Sequence, residues 1–361
     1  MLFIFLFKNK YPSIEINGIG YSNRRQQELE EGIHMDRKGY YIKGYQGKRI
    51  YCIRWSNPEN TEPKAVIQIA HGMAEHIDRY DDFAGFLVQK GYVVFGNDHR
   101  GHGKTLDKDQ VYGHLSDEKG WQKTLRDLNY LREEIEKQYP EKPVIMLGHS
   151  MGSFLARDYA QEFGSHLQGL ILSGTGGKLG VIGNLGLWIA KLEKLLRGKR
   201  RKSPLLDQLI FGKYNKNFEP AETSFDWLSS NEWEVRAYVE DPLCGNIMTA
   251  GFYVDLLQGI KKIHQPKNIK KMPKDLPVLL FSGELDPVGK EGKGVREVQK
   301  GIEEQGVRDL QVVLYPEGRH EMLHENNKEA VYQDILSWLE EKVGEPSVKR
   351  LEGESLKEVV K

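Results

Sequence analysis

Short, apolar, β-favouring runs recur along this chain, and several are followed by stretches whose apolar residues fall at helical spacing. Ala65–Ala70, Tyr92–Phe95, Pro143–Leu147, Leu276–Ser282 and Leu310–Tyr315 are such runs, suited to strands buried on both faces. Ser153–Phe163 shows the helical pattern, with Phe154, Leu155, Tyr159 and Phe163 on one side. Ahead of them, Tyr40–Ile42 and Arg49–Trp55 pair as a hairpin whose turn is set by Gly44 and Gly47. The alternation continues through Ser173 and predicts an α/β architecture, a mostly parallel central sheet with helices on both faces. It stops at Gly174-Thr175-Gly176-Gly177 and resumes near Asp275. The interval carries helical patches, tryptophans and a basic run, and is expected to form a helical cap insertion over the active site. A helix near Ile247–Ile263 returns the chain to the core. The expected organisation is an extension over 1–34, core over 35–174, cap over 175–246, core again over 247–345, and a charged tail over 346–361.

The extension follows no folding pattern. Leu2–Phe7 is apolar but too short for a signal peptide and lacks flanking basic residues and a cleavage site. We expect translation to begin at Met35, because in a bacterial source the codons of Glu30-Glu31-Gly32 can spell a ribosome-binding site. The alternative is a short membrane-touching tail.

Composition narrows the class. With 361 residues, 39% hydrophobic, the chain can bury a sizeable core. Lys+Arg and Asp+Glu balance at 52 each, so no bulk attraction to nucleic acid is expected. Two cysteines in unlike contexts, Cys52 and Cys244, argue for a reducing, cytoplasmic setting without a disulfide framework. No run approaches the roughly 20 apolar residues that span a bilayer.

The chemistry lies at Gly148-His149-Ser150-Met151-Gly152, between a strand pattern and a helix pattern. A strand-to-helix turn this sharp needs glycine on either side of the serine and pushes the hydroxyl out above the sheet edge. The partners then appear in the order serine, acid, histidine. Asp286 follows the strand ending near Ser282, and His320 lies in the loop after Leu310–Tyr315. Loops at the carboxyl ends of parallel strands open onto one edge, so the three can converge. His320 would take the proton of Ser150, and Asp286 would hold the imidazole in the useful tautomer. Glu284 is a rival acid, disfavoured because Pro287 forces the turn at Asp286. His324 is a rival base, placed at the start of the last helix as a pocket-rim or exposed residue. The backbone N–H groups of Met73, in His71–His76, and of Met151 are the expected oxyanion donors. Asp98, His99 and His102 invite a metal reading, but no fourth ligand is evident and a glycine-hinged structural loop explains them better. No cofactor and no metal are expected.

Together His71–His76, Asn97–Gly103, Gly148–Gly152, Gly283–Asp286 and Gly318–His320 resemble the monoacylglycerol lipase and lysophospholipase branch of the α/β-hydrolase superfamily, over roughly residues 40–343. The resemblance implies the α/β-hydrolase fold and cofactor-free hydrolysis of a single-chain acyl ester, monoacylglycerol or lysophospholipid, through an acyl-enzyme on Ser150. It also implies that Glu75 and Arg79 lie near the polar end of the substrate. The chain departs from the family at Ser153, where another glycine is common. It departs again at His324, four residues after His320 rather than three, and in its basic cap. Leu187–Leu196 is amphipathic and leads into Arg197–Lys202, a pattern suited either to peripheral contact with an anionic membrane or to an ordinary cap helix beside a solvated loop. Cys244 is a candidate lining residue of the acyl channel, or else a buried small hydrophobe. The alternatives carried are a short-ester carboxylesterase, a proline iminopeptidase-like peptidase holding a substrate ammonium with Glu219, Glu222 or Asp226, and a non-catalytic binding protein.

Overall fold

The computed structural model describes residues 35–343 except 109. The extension expected over 1–34 and the tail over 346–361 lie outside the described residues. Eight strands form one sheet: β1 (Asp36–Lys43), β2 (Arg49–Ser56), β3 (Val66–Ala70), β4 (Val93–Asn97), β5 (Val144–His149), β6 (Gly169–Ser173), β7 (Val278–Gly283) and β8 (Leu310–Tyr315). The order is β1-β2-β4-β3-β5-β6-β7-β8. The β1/β2 hairpin is antiparallel and β2 joins β4 antiparallel, while every pairing from β4 to β8 is parallel. The sequence turns back between β3 and β4 on one side and β5 on the other, and at such a switch point a crevice opens at the carboxyl ends of the strands.

The helices are α1 (Asp81–Gln89), α2 (Gly120–Gln138), α3 (Met151–Phe163), α4 (Val181–Arg197), α5 (Pro204–Phe211), α6 (Glu232–Glu240), α7 (Ala250–Ile263), α8 (Pro266–Ile269), α9 (Lys293–Glu303) and α10 (Lys328–Val343). Two cores flank the sheet. Val144 and Met146 of β5 face one that includes Leu128 and Leu131 of α2, Leu155 of α3 and Phe252 of α7. Ile145 and Leu147 face the other, with Phe83 and Leu87 of α1 and Val331 and Trp338 of α10. A strand apolar on both faces thus reads as a continuous hydrophobic run, the pattern that Pro143–Leu147 shows. Each fully buried large aliphatic or aromatic side chain contributes about 1.5–3 kcal/mol, so the sheet is a rigid platform.

Helices α4 to α7 all lie between β6 and β7. Helix α7 packs on α3 and α4 and has ten buried residues. Helix α4 instead leaves Leu185, Trp188, Leu195 and Leu196 exposed.

Candidate active site

At the end of β5 the backbone leaves extended geometry abruptly. Ser150 sits at φ 51°, ψ −119°, a strained conformation for a non-glycine residue, and is the first-turn cap of α3 without using its hydroxyl for that purpose. Its N–H donates to the Ser173 carbonyl at 2.9 Å, which ties the turn to the neighbouring strand β6. The glycines around it are fixed by packing. A Cβ on Gly152 would lie 1.9 Å from the Ala70 carbonyl oxygen, and one on Gly148 would lie 2.3 Å from the Gly152 carbonyl oxygen. Ser153 fits where the relatives of this motif often carry glycine, because its hydroxyl folds back onto the Ser150 carbonyl at 2.6 Å.

Asp286 and His320 meet although they come from different loops. The Asp286 carboxylate is fully buried, and its Oδ1 accepts from Val288 N–H at 2.8 Å and from His320 Nδ1 at 2.9 Å. Its Oδ2 accepts from the Ser282 hydroxyl at 2.9 Å. Glu284, the rival acid, is exposed. The His320 ring lies between His149 and Trp227, with ring centroids 4.8 and 5.1 Å away. Burial pushes its pKa down, but the charge and hydrogen bond of Asp286 outweigh that, Glu321 and Glu75 add to it, and the net shift is upward. With Nδ1 engaged, Nε2 is the nitrogen left for proton transfer. His324 does not start the last helix. It closes a short 3-10 turn, Met322–His324, ahead of α10, and it is buried with Nδ1 3.4 Å from Glu234. It is therefore neither exposed nor on the cavity wall, and its ring meets Glu234 of α6.

The loop after β3 is braced from below. His71 Nδ1 donates to the Gly72 carbonyl at 2.7 Å, and His71 Nε2 accepts from His99 N–H at 3.0 Å. His99 Nε2 donates to the His71 carbonyl at 3.0 Å, and Asp98 accepts from Ile77 N–H and Lys104 N–H. Burial holds His99 down at about 3 and His102 at about 4, so both are neutral hydrogen-bonding groups near pH 7. His102 Nδ1 donates to the Arg100 carbonyl at 2.9 Å, so Asp98, His99 and His102 all bond to backbone groups of these loops.

A cavity of about 900 Å³ opens above this edge. Ser150, His320, Met73 and Met151 all line it, which brings the expected nucleophile, base and donor-bearing residues together. Glu75 and Glu321 also line it, as do the apolar Leu206, Ile210, Phe211, Leu257 and Ile260. Arg79 stands behind the carboxylates. It donates from both terminal nitrogens to Glu321 at 2.7 Å each, and from Nη1 also to Glu75 at 2.8 Å. Tyr80 O–H donates to Glu75 at 3.0 Å, as does the Gly72 N–H at closer range. Burial would raise Glu321, yet the Arg79 guanidinium holds it well below the usual carboxylate range. Two buried carboxyl groups thus share one guanidinium behind the cavity wall.

Cys244 is not on the wall. It is buried beside Trp227, Leu228 and Tyr238, one layer behind, because the chain exposes Gly245 and Asn246 to the cavity instead. Glu219, Glu222 and Asp226 are also off the wall, and Asp226 is occupied by the Glu222 and Thr223 N–H groups. Glu321 was the residue the sequence offered without announcing itself. Its position next to His320 is the one signal that could have marked it.

Residues 61–327 match the family model described as serine aminopeptidase, S33. The chain is similar to the monoglyceride lipase of Rattus norvegicus, 30% identical over 84% of this chain and 90% of the relative. It is also similar to the monoacylglycerol lipase of Mycolicibacterium smegmatis, 26% identical over 85% and 98%. Among solved structures, a thermostable carboxyl esterase from Bacillus coagulans in complex with glycerol superposes with a TM-score of 0.78 at 28% identity, over 86% of this chain and all of the other.

Proposed function

The chain belongs to the serine aminopeptidase S33 family of hydrolases and has the α/β-hydrolase fold, and on that premise we propose that it hydrolyses monoacylglycerol-type esters through an acyl-enzyme on Ser150. The observation that carries this reading is that one cavity is lined both by Ser150, His320, Glu75 and Glu321 and by the apolar Leu206, Ile210, Phe211, Leu257 and Ile260. Ser150 attacks the ester carbonyl while His320 Nε2 takes its proton, and Asp286 stabilises the imidazolium through Nδ1. The N–H groups of Met73 and Met151 receive the oxyanion, each such donor typically contributing about 10²–10³ in rate. His320 then protonates the departing alcohol, and water repeats the sequence on the acyl group.

The polar end favours a neutral polyol. Hydroxyl groups donate to Glu75 and Glu321, whereas a phosphate would face acceptor oxygens with Arg79 already paired. Glu75 is thus the direct contact and Arg79 the residue that positions it. The segment between β6 and β7 acts as the cap, and the exposed Leu185, Trp188, Leu195 and Leu196 support contact with a lipid surface. Arg197 is bonded to Glu193, and Lys199 and Arg200 to Asp117, so attraction to anionic lipid is weaker than the basic run alone implies.

The test is release of oleate from monooleoylglycerol and from a lysophospholipid, measured side by side, with Ser150→Ala as control. Preference for the glyceride, absent in the mutant, is expected. Equal or faster release from the lysophospholipid would overturn the head-group assignment. The carboxylate pair gives a second reading some footing, since it could hold a peptide ammonium. Hydrolysis of a prolyl arylamide but of neither lipid would establish that instead.

A further inference from the structure

Outside the cavity, three side chains of metal-ligating type converge where the loop after β3 meets the segment after α6. His76, Asp241 and Cys244 each offer a ligand atom, and these atoms all lie within 4.8 Å of one another. We propose that they form a site for a zinc ion, one layer behind the cavity wall.

The donor set decides the cation. A thiolate, an imidazole and a carboxylate suit zinc, whereas calcium and magnesium take oxygen ligands and would leave the sulfur and nitrogen unused. The orientation of the imidazole fits as well. Nε2 faces Asp241 Oδ2 at 2.8 Å, and Nδ1 is turned the other way, 3.3 Å from Asp78 Oδ2. A ligating histidine usually gives its second nitrogen to a carboxylate, which fixes the ring and raises its basicity. Asp78 is placed to do that, and its own position is held by Lys104 and Arg37. Three protein ligands leave the fourth tetrahedral position for water. The His76 and Cys244 side chains are buried and Asp241 is partly exposed, so entry is from the Asp241 side. Coordination requires the thiolate and an unprotonated Nε2, and loading therefore releases protons.

The two segments are already docked. Tyr238 O–H and Gly245 N–H both donate to the Ala74 carbonyl, at 2.9 Å each. A cation here would staple the loop that carries Met73 and Glu75 to the cap. None of the three ligands is on the cavity wall, so the ion would not touch the substrate.

The test uses the full chain, stripped with chelator and titrated with Co²⁺ as a spectroscopic probe. One equivalent with a thiolate-to-cobalt charge-transfer band is expected, and Zn²⁺ should displace it. Cys244→Ser should lose the band while circular dichroism shows the fold kept. Cys52 is the only other thiol, and it is buried in the sheet, so a band that survives Cys244→Ser overturns the site, as does no band at all. Should Cys244→Ser fail to fold, Asp241→Asn keeps the thiol and should weaken Co²⁺ binding at least tenfold. Unchanged affinity in that variant rejects the proposal. Asp78→Asn should cost about 10–100-fold, as loss of an orienting carboxylate does. None of these readouts depends on turnover.

Discussion

Along the carboxyl edge of the sheet, Asp286, His320, Glu75 and Glu321 are buried and hydrogen-bonded to one another, to Arg79 or to the backbone. The segment between β6 and β7 is built the other way, with leucines and a tryptophan of α4 turned to solvent. The first region has little freedom, because a buried polar group without a partner costs about 1–3 kcal/mol. The second is held where α7 packs on α3 and α4, with Leu187, Ala190 and Leu206 reaching into the core while the opposite face of α4 stays bare. On the proposed reading, chemistry belongs to the rigid region, and substrate shape and surface contact to the permissive one.

The largest effect should come from the rigid edge. Ser150→Ala is expected to lose roughly 10⁶-fold in turnover and all labelling by a fluorophosphonate. Stoichiometric labelling of that mutant would move the nucleophile elsewhere. Asp286→Asn should fold and lose about 10⁴-fold, since the wrong histidine tautomer is then favoured. A near wild-type rate would remove Asp286 from the proton-transfer pair.

Gly152→Ala probes how tightly the edge is packed. Its methyl would meet the Ala70 carbonyl, which is β3 backbone and cannot give way, so destabilisation of at least the ~1–3 kcal/mol typical of overpacking is expected. Thermal unfolding measures it, and an unchanged midpoint would mean the elbow is looser than described.

A smaller effect concerns pH. His320 must be neutral to accept the serine proton, and its pKa is raised, so activity should fall as pH drops through a value above the ordinary histidine pKa of about 6.5. Glu321→Gln removes one of the charges that raise it and should shift that acidic limb of kcat/KM to lower pH. A limb that does not move would confine Glu321 to holding Arg79. The smallest effect should come from the permissive region. Trp188→Ser with Leu195→Ser should reduce co-sedimentation with neutral vesicles while hydrolysis of a short soluble ester is retained. Binding that is unaffected, or that appears only with anionic vesicles, would remove the apolar face as the contact.

The same division explains what the sequence made legible. Pro143–Leu147, Gly148–Gly152 and the loops bearing Asp286 and His320 follow local rules of strand burial, turn strain and strand order, so reading them needs no partner residue. The Glu321–Arg79 pairing spans 242 positions and has no periodic signature. The placements of Cys244 behind the wall and of His324 against Glu234 depend on how the cap docks, and nothing in their neighbours encodes that. The exposed face of α4 was legible as an amphipathic pattern, but the pairing of Lys199 and Arg200, just beyond it, with Asp117 was not.

The Ala74 carbonyl gives the cap a fixed end and a free end. With two hydrogen bonds from Tyr238 and Gly245 converging on it, the α6 half is moored to the loop after β3, while among the described residues α4 and α5 make no such bond to that carbonyl. On the proposed reading a fatty acid would leave on the α4–α5 side, with a local opening there rather than a lifting of the whole cap as the slow step. Hydrogen exchange should show it. The Gly245 amide should exchange only through near-global unfolding and the α4 amides through local opening; comparable rates at both would mean that the mooring does not hold.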